Sequence, residues 1–85
     1  MYTVTFTKQA ARALSRMPRN VAATIREKIE ALAADPHGDN PNAKRLQGSP
    51  GYRLRVGDWR VLYVLEDGQM VVYVMEINPR GGAYK

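Results

Sequence analysis

The chain contains no cysteine and no long apolar run. Without cysteine there is no disulfide framework and no thiolate metal site, a composition typical of a reducing cytoplasm. The longest unbroken apolar run, Met70 to Met75, is far shorter than the ~20 residues that cross a bilayer, and the N-terminal residues lack the layout of a secretory signal. We therefore expect a cytoplasmic protein without a membrane segment. The 85 residues predict a single small domain, residues 1–85.

Negative charge is also scarce, with 13 lysines and arginines against 8 aspartates and glutamates and a net charge of +5. The excess is local, because residues 44–63 contain one acidic residue, Asp58, and five basic ones: Lys44, Arg45, Arg53, Arg55 and Arg60. A concentrated basic patch on a small domain indicates a polyanionic partner, most often nucleic acid. The alternative is a solvated surface that aids solubility.

The first half of the chain predicts one strand and two helices. Residues 2–6 alternate β-branched and aromatic side chains, which is typical of a strand. Thr7 is a candidate N-cap for a first helix, and Pro18 ends that helix and begins the next. The second helix is predicted from Arg19 to Ala34, with a buried stripe at helical spacing: Val21, Ile25, Ile29 and Leu32.

The second half predicts a long loop and three strands. Residues 35–51 are rich in glycine, proline, asparagine and aspartate and are interpreted as a loop. Strands are expected at residues 52–56, 59–65 and 70–77. The resulting order is βααβββ, an α+β domain in which two N-terminal helices pack on a mostly antiparallel four-stranded sheet.

A two-residue turn at Gly57-Asp58 fixes the register of the first hairpin. Glycine in the first central position suits a type II′ turn, and pairing outward from it sets Arg55 opposite Arg60. Arg53 then shares their face. Like charges that oppose each other destabilise a sheet, so the arrangement indicates a site for a bound anion.

The next hairpin, interpreted as a two-residue type I′ turn at Asp67-Gly68, is expected to set Met75 beside Arg60. This register leaves Ile77 on the arginine face and Glu76 on the opposite face. The last strand would then end beside the arginines, so the terminal Arg80 and Tyr84 are predicted to join them.

The segment KRLQGSPGYRLRVGDWRVLYVL and the ending VVYVMEINPRGGAYK, in the βααβββ order, resemble the RelE/ParE superfamily of bacterial toxins from type II toxin–antitoxin pairs. The resemblance covers essentially the whole chain. In its RelE-like branch, members cleave messenger RNA in the ribosomal A site. Carried over by position, the resemblance implies a catalytic set: Arg53, Arg55, Arg60, Arg80 and Tyr84. The basic residues Lys44 and Arg45 are expected to make sequence-independent contacts with the backbone of ribosomal RNA.

Such cleavage needs neither metal nor cofactor, because the 2′-hydroxyl of RNA attacks the adjacent phosphate. Guanidinium forks suit the phosphate oxygens, and we assign Arg53, Arg55 and Arg60 to charge stabilisation. Arg80 is a candidate donor to the leaving oxygen. The proton acceptor stays open between Tyr84 and water, because arginine remains protonated. The single histidine lies in a loop and is interpreted as a surface residue, and the scattered carboxylates lack metal-ligand spacing.

Two other functions remain open for this sequence. A ParE-like toxin would inhibit DNA gyrase by binding it, and a catalytically silent relative would only bind its antitoxin. The resemblance implies a cognate antitoxin as partner, with the ribosome and mRNA as targets and operator DNA reached only through the antitoxin. The apolar side chains expected beside the arginines favour a protein partner as well.

Overall fold

The computed structural model of the chain describes residues 1–79. They form seven elements in the order β1 (Thr3–Phe6), α1 (Lys8–Arg16), α2 (Arg19–Ala34), β2 (Ala43–Arg45), β3 (Tyr52–Val56), β4 (Trp59–Glu66) and β5 (Val71–Pro79). The strands make one sheet in the order β1-β5-β4-β3-β2, in which β1 runs parallel to β5 and the other pairs are antiparallel. The α+β prediction is confirmed, with five strands rather than four.

The two helices begin and end close to where the sequence predicts. The Thr7 hydroxyl caps α1 by accepting a hydrogen bond from the amide of Ala10 at 3.3 Å. Pro18 occupies the cap position of α2, which runs over the predicted residues. Ile25, Ile29 and Leu32 of the predicted stripe are buried, as helical periodicity requires. No helix in residues 1–79 is long and apolar enough to span a membrane.

Both helices pack on the same side of the sheet. The core between the helices and the sheet is formed by small and branched residues of α1 and α2 and by side chains of β3, β4 and β5: Ala10, Leu14, Ile25, Ile29, Leu32, Leu54, Val56, Val61, Tyr63, Val72, Val74 and Ile77. We call this side of the sheet the helix face and the other side the outer face. Because neighbouring residues of a strand point to opposite sides, the positions that alternate with these core residues along each strand lie on the outer face.

The hairpin between β3 and β4 has the predicted register. Val56 pairs with Trp59, and Arg55 pairs with Arg60. The φ angle is +57° at Gly57 and is not positive at Asp58. That combination is the one a type II′ turn requires.

The loop predicted over residues 35–51 contains the short edge strand β2. Lys44 pairs with Arg53, and Arg45 pairs with Tyr52. A strand of three residues is too short to show the alternation by which a strand is recognised in a sequence. It forms because β3 offers an open edge.

The predicted register between β4 and β5 is wrong. The turn occupies residues 67–70, with Met70 at a φ of 55°, and Glu66 pairs with Val71. The pairs Tyr63–Val74 and Leu62–Glu76 then leave Met75 as an extra residue, a β-bulge. The hydroxyl of Thr7 donates a hydrogen bond to the Met75 carbonyl oxygen at 2.5 Å. This bond satisfies a carbonyl at the point where the ladder is interrupted.

The bulge exchanges the faces of the last strand residues. Ile77, expected beside the arginines, is 1 % exposed and lies in the core. Arg60 pairs with Asn78 instead of Met75, and Trp59 pairs with Pro79 instead of Glu76. Glu76, expected on the opposite face from the arginines, pairs with Leu62 and therefore lies on the outer face with them. A bulge of one residue reverses every side chain that follows it.

Candidate functional site

Four basic side chains gather at one corner of the outer face. Lys44 and Arg53 are cross-strand partners on β2 and β3, and Arg55 and Arg60 are partners on β3 and β4. We call these four residues, Lys44, Arg53, Arg55 and Arg60, the basic face. The backbone holds the corner together at its edge, where the amide of Arg55 donates to the carbonyl of Asn42 at 2.9 Å. Basic residues of three different strands are thus brought together on neighbouring strands of the sheet.

A shallow groove of about 100 Å³ runs along the basic face. It is lined by Lys44, Arg53 and Arg55 together with Pro41 and Asn42. Within the part of the chain that the structure describes, the Nε atom of Arg53 is buried and makes no hydrogen bond. A buried donor without an acceptor costs free energy.

Carboxylates of the described residues do not neutralise the groove. In the part of the chain that the structure describes, Lys44, Arg53 and Arg55 form no ion pair, and the ion pair found there joins His37 to Asp67. Opposed cations without a counter-charge raise the local positive potential, which attracts polyanions. The groove is therefore suited chemically to a phosphodiester backbone.

The structure separates Lys44 from Arg45, which the sequence groups as a pair of RNA contacts. Both are exposed, but Arg45 pairs with Tyr52 and points to the helix face, whereas Lys44 points to the outer face. Only Lys44 adjoins the groove. Consecutive residues of any strand diverge in this way.

Arg80 and Tyr84, the other predicted catalytic residues, lie outside the described residues. The last described residue, Pro79, pairs with Trp59 beside the Arg60–Asn78 pair. The roles of Arg80 and Tyr84 stay predictions.

Three polar residues beside the basic face were not expected from the sequence: Gln9, Glu76 and Asn78. Gln9 of α1 exchanges two hydrogen bonds with the backbone of Ile77, accepting from its amide at 3.0 Å and donating to its carbonyl at 3.3 Å. The Gln9 amide also donates to Asn78 Oδ1 at 3.3 Å, and Asn78 Nδ2 donates to Glu76 Oε1 at 3.0 Å. The bulge that brings these groups together leaves no signal in the sequence.

A second polar cluster lies at the other end of β4. His37 Nε2 is 2.8 Å from Asp67 Oδ1, and the Tyr2 hydroxyl donates to the same oxygen at 2.7 Å. The hydrogen bond from His37, and to a smaller extent the one from Tyr2, lower the pKa of Asp67 below its usual value. His37 is exposed, as expected of a surface residue. No three histidine or acidic side chains within residues 1–79 come close enough together to hold a metal ion.

The fold matches solved toxin structures. The chain superposes on a RelE–RelB complex of Pyrococcus horikoshii with a TM-score of 0.81 and 29% identity, covering 96% of this chain and 98% of that chain. It also superposes on the toxin–antitoxin complex RelBE2 of Mycobacterium tuberculosis with a TM-score of 0.76 and 28% identity, covering 93% and 98%. Two helices on one face of this mixed sheet, with cations on the other, therefore define a toxin of the RelE class.

The sequence comparisons extend this result to the family. Residues 4–84 match the family described as "ParE toxin of type II toxin-antitoxin system, parDE". The toxin RelE of Mycobacterium tuberculosis is 35% identical over 86 residues, spanning 99% of this chain and 87% of that protein. The toxin RelG of the same organism is 30% identical over 86 residues, spanning 99% and 97%. The chain belongs to the RelE/ParE family of type II toxins.

Proposed function

We propose that this toxin is a metal-independent endonuclease that cleaves mRNA on the ribosome and so inhibits translation. The observation that carries the proposal is the basic face, where four cations line one corner of a sheet. Lys44, Arg53 and Arg55 have no carboxylate partner in the described residues. The identity to toxins named RelE supports the same function.

The chemistry uses the 2′-hydroxyl of RNA. Its oxygen attacks the adjacent phosphorus, the bond from phosphorus to the 5′ oxygen breaks, and a 2′,3′-cyclic phosphate and a free 5′-hydroxyl result. Negative charge builds up on the phosphoryl oxygens in the transition state. Arg53, Arg55 and Arg60 stabilise that charge with oriented donors, and Lys44 holds the neighbouring backbone. Arg80 is the proposed donor to the leaving 5′ oxygen, and Tyr84 stacks on a base or contacts the phosphate.

The proposal includes a cognate antitoxin that neutralises the toxin. Solved relatives are named as complexes with an antitoxin. The outer face of this chain keeps exposed apolar side chains, including Tyr73 and Met75 at 39% and 41% exposure, which suit a bound helix or strand. Operator DNA is reached through the antitoxin, and the toxin acts in the cytoplasm.

The matched family description favours one alternative, because it names ParE rather than RelE. A gyrase inhibitor of this fold would bind a protein target and would perform no chemistry on RNA. The two functions differ in what happens to transcripts and in what happens to the chromosome.

The test uses purified toxin with ribosomes programmed with a defined mRNA, and mapping of the new 5′ ends. The double variant Arg53→Ala/Arg60→Ala is expected to reduce cleavage at least about 100-fold, since hydrogen bonds to charged groups contribute about 1.5–3 kcal/mol each. Arg12→Ala is the matched control, because Arg12 is exposed on α1. Intact transcripts, together with growth arrest and DNA damage in cells expressing the toxin, would indicate the gyrase alternative instead.

A further inference from the structure

The proposed cleavage requires a group that takes the proton from the 2′-hydroxyl. The three arginines of the basic face cannot do this, and Lys44 is already assigned to the neighbouring backbone. Arginine stays protonated and has no acceptor atom. Tyr63 lies on the helix face. Its burial, and to a smaller extent the neighbouring Tyr52, raise its pKa to about 12. It therefore stays protonated and points away from the groove.

Among the carboxylates of the described residues, Glu76 lies on the outer face next to the basic face. It lies on the outer face in the cross-strand row that continues through Leu62 to Arg53 and Lys44. Glu76 is also the diagonal neighbour of Arg60, at about 7–8 Å between strand positions and within reach of long side chains.

Two other carboxylates near the strand ends are unsuitable. Asp58 lies in the β3–β4 turn and lines a groove with Val21 and Ile25, so it faces the helices. Glu66 is on the outer face, but it is six residues along β4 from Arg60, or about 20 Å away.

The carboxylate of Glu76 is held by a chain of amides. Gln9 fixes the orientation of the Asn78 amide by donating to Oδ1, which leaves Nδ2 to donate to Glu76 Oε1 at 3.0 Å. Gln9 is itself anchored on the backbone of Ile77, immediately after the bulge. One carboxylate oxygen is thus occupied by Asn78, and Oε2 can face a substrate.

We propose that Glu76 is the general base of the cleavage reaction, an inference that rests on the proposed function. Glu76 Oε2 accepts the proton of the 2′-hydroxyl while the 2′ oxygen forms its bond to phosphorus. The 5′ oxygen leaves with the electron pair of the broken bond and takes a proton from the solvent, while Arg80 is the proposed hydrogen-bond donor to that oxygen. The proton on Glu76 then passes to water, which restores the carboxylate.

The position of Glu76 next to the basic face also explains how a carboxylate can act as a base close to a phosphate. Its negative charge opposes the substrate, but the four cations of the basic face outnumber it. Removing the charge of Glu76 should therefore leave RNA affinity unchanged or increase it, while the chemical step slows. A residue that only bound RNA would change affinity instead.

The experiment measures single-turnover cleavage of ribosome-bound mRNA as a function of pH and of toxin concentration. Glu76→Gln keeps the shape of the side chain and the contact with Asn78. We expect its maximal rate to fall about 100-fold or more, as typical for loss of a general base, and the dependence of that rate on pH to change. The half-saturating concentration should not increase.

Glu66→Gln is the matched control, because it removes the same charge from an exposed position on the same face. It should cleave like the unmodified toxin, and thermal unfolding should show that both variants fold. If Glu76→Gln cleaves at the unmodified rate with an unchanged pH profile, or only binds more weakly, the inference is wrong and the proposed function stands. If the unmodified toxin does not cleave, the proposed function fails and the inference with it.

Discussion

Replacing Arg55 by glutamine should make the toxin more stable and less active. Arg55 and Arg60 are directly opposed across β3 and β4, and Arg55 is exposed. Opposed like charges cost a few tenths of a kcal/mol to about 1 kcal/mol in a sheet. With partial screening by solvent, we expect Arg55→Gln to raise the free energy of unfolding by about 0.5 kcal/mol. That corresponds to an increase in Tm of about 2–4 °C for a domain of this size.

The salt dependence identifies the cause of this gain. Screening lengths fall from about 10 Å at 0.1 M salt to about 3 Å at 1 M, so the difference in Tm should shrink as salt is added. Cleavage of ribosome-bound mRNA should fall about 10- to 100-fold, the range set by losing one charged hydrogen bond to phosphate.

The control is Arg45→Gln, which changes the net charge equally on the helix face, where the cross-strand partner is Tyr52. It should alter neither Tm nor cleavage appreciably. The reasoning is refuted if Arg55→Gln is less stable than the unmodified protein at low salt. It is equally refuted if Arg45→Gln shows the same gain, since the effect would then reflect net charge alone.

Three further outcomes concern stability. Ile25→Ala should lower the free energy of unfolding by about 2–5 kcal/mol in urea titrations, because Ile25 is fully buried between α2 and the sheet. Gly57→Ala should cost about 1–2 kcal/mol in the same assay, because φ is +57° and no atom lies near the added methyl group, so the cost is backbone strain. Hydrogen bonds from His37, and to a smaller extent from Tyr2, lower the pKa of Asp67 in the folded protein. The ionised Asp67 therefore stabilises the fold at pH values above its pKa in the unfolded chain, and this stabilisation is lost as the pH falls through its pKa in the folded protein. Asp67→Asn should therefore lower the free energy of unfolding at pH 7 and should lower it less at pH 3. An equal decrease at both pH values would contradict a stabilising role for the ionised Asp67.

The parts of the fold that the sequence predicts are those with strong local signals. The stripe of α2 has helical spacing over about three turns, and Gly57 specifies the turn that sets Arg55 opposite Arg60. These signals do not depend on distant residues. For that reason the bounds of α2 and the register of the β3–β4 hairpin could be predicted from the sequence.

The parts that the sequence does not predict depend on tertiary contacts. The strand β2 forms because an edge of β3 is available to it, and the bulge at Met75 is held by Thr7, 68 residues away in the chain. Asp67-Gly68 suggested a two-residue turn, but Met70 adopts the left-handed conformation and lengthens it. The bulge moves Glu76 to the outer face, so a candidate general base could not be found by reading the sequence.

The most direct test of the proposed RNA site is a structure of the toxin on a ribosome with mRNA whose 2′-hydroxyl at the cleavage position is methylated. Our account predicts the phosphate at that position on the outer face, with its oxygens about 3 Å from guanidinium nitrogens of Arg53 or Arg60. An mRNA backbone bound to another surface of the toxin, with the groove of Lys44, Arg53 and Arg55 left empty, would contradict it.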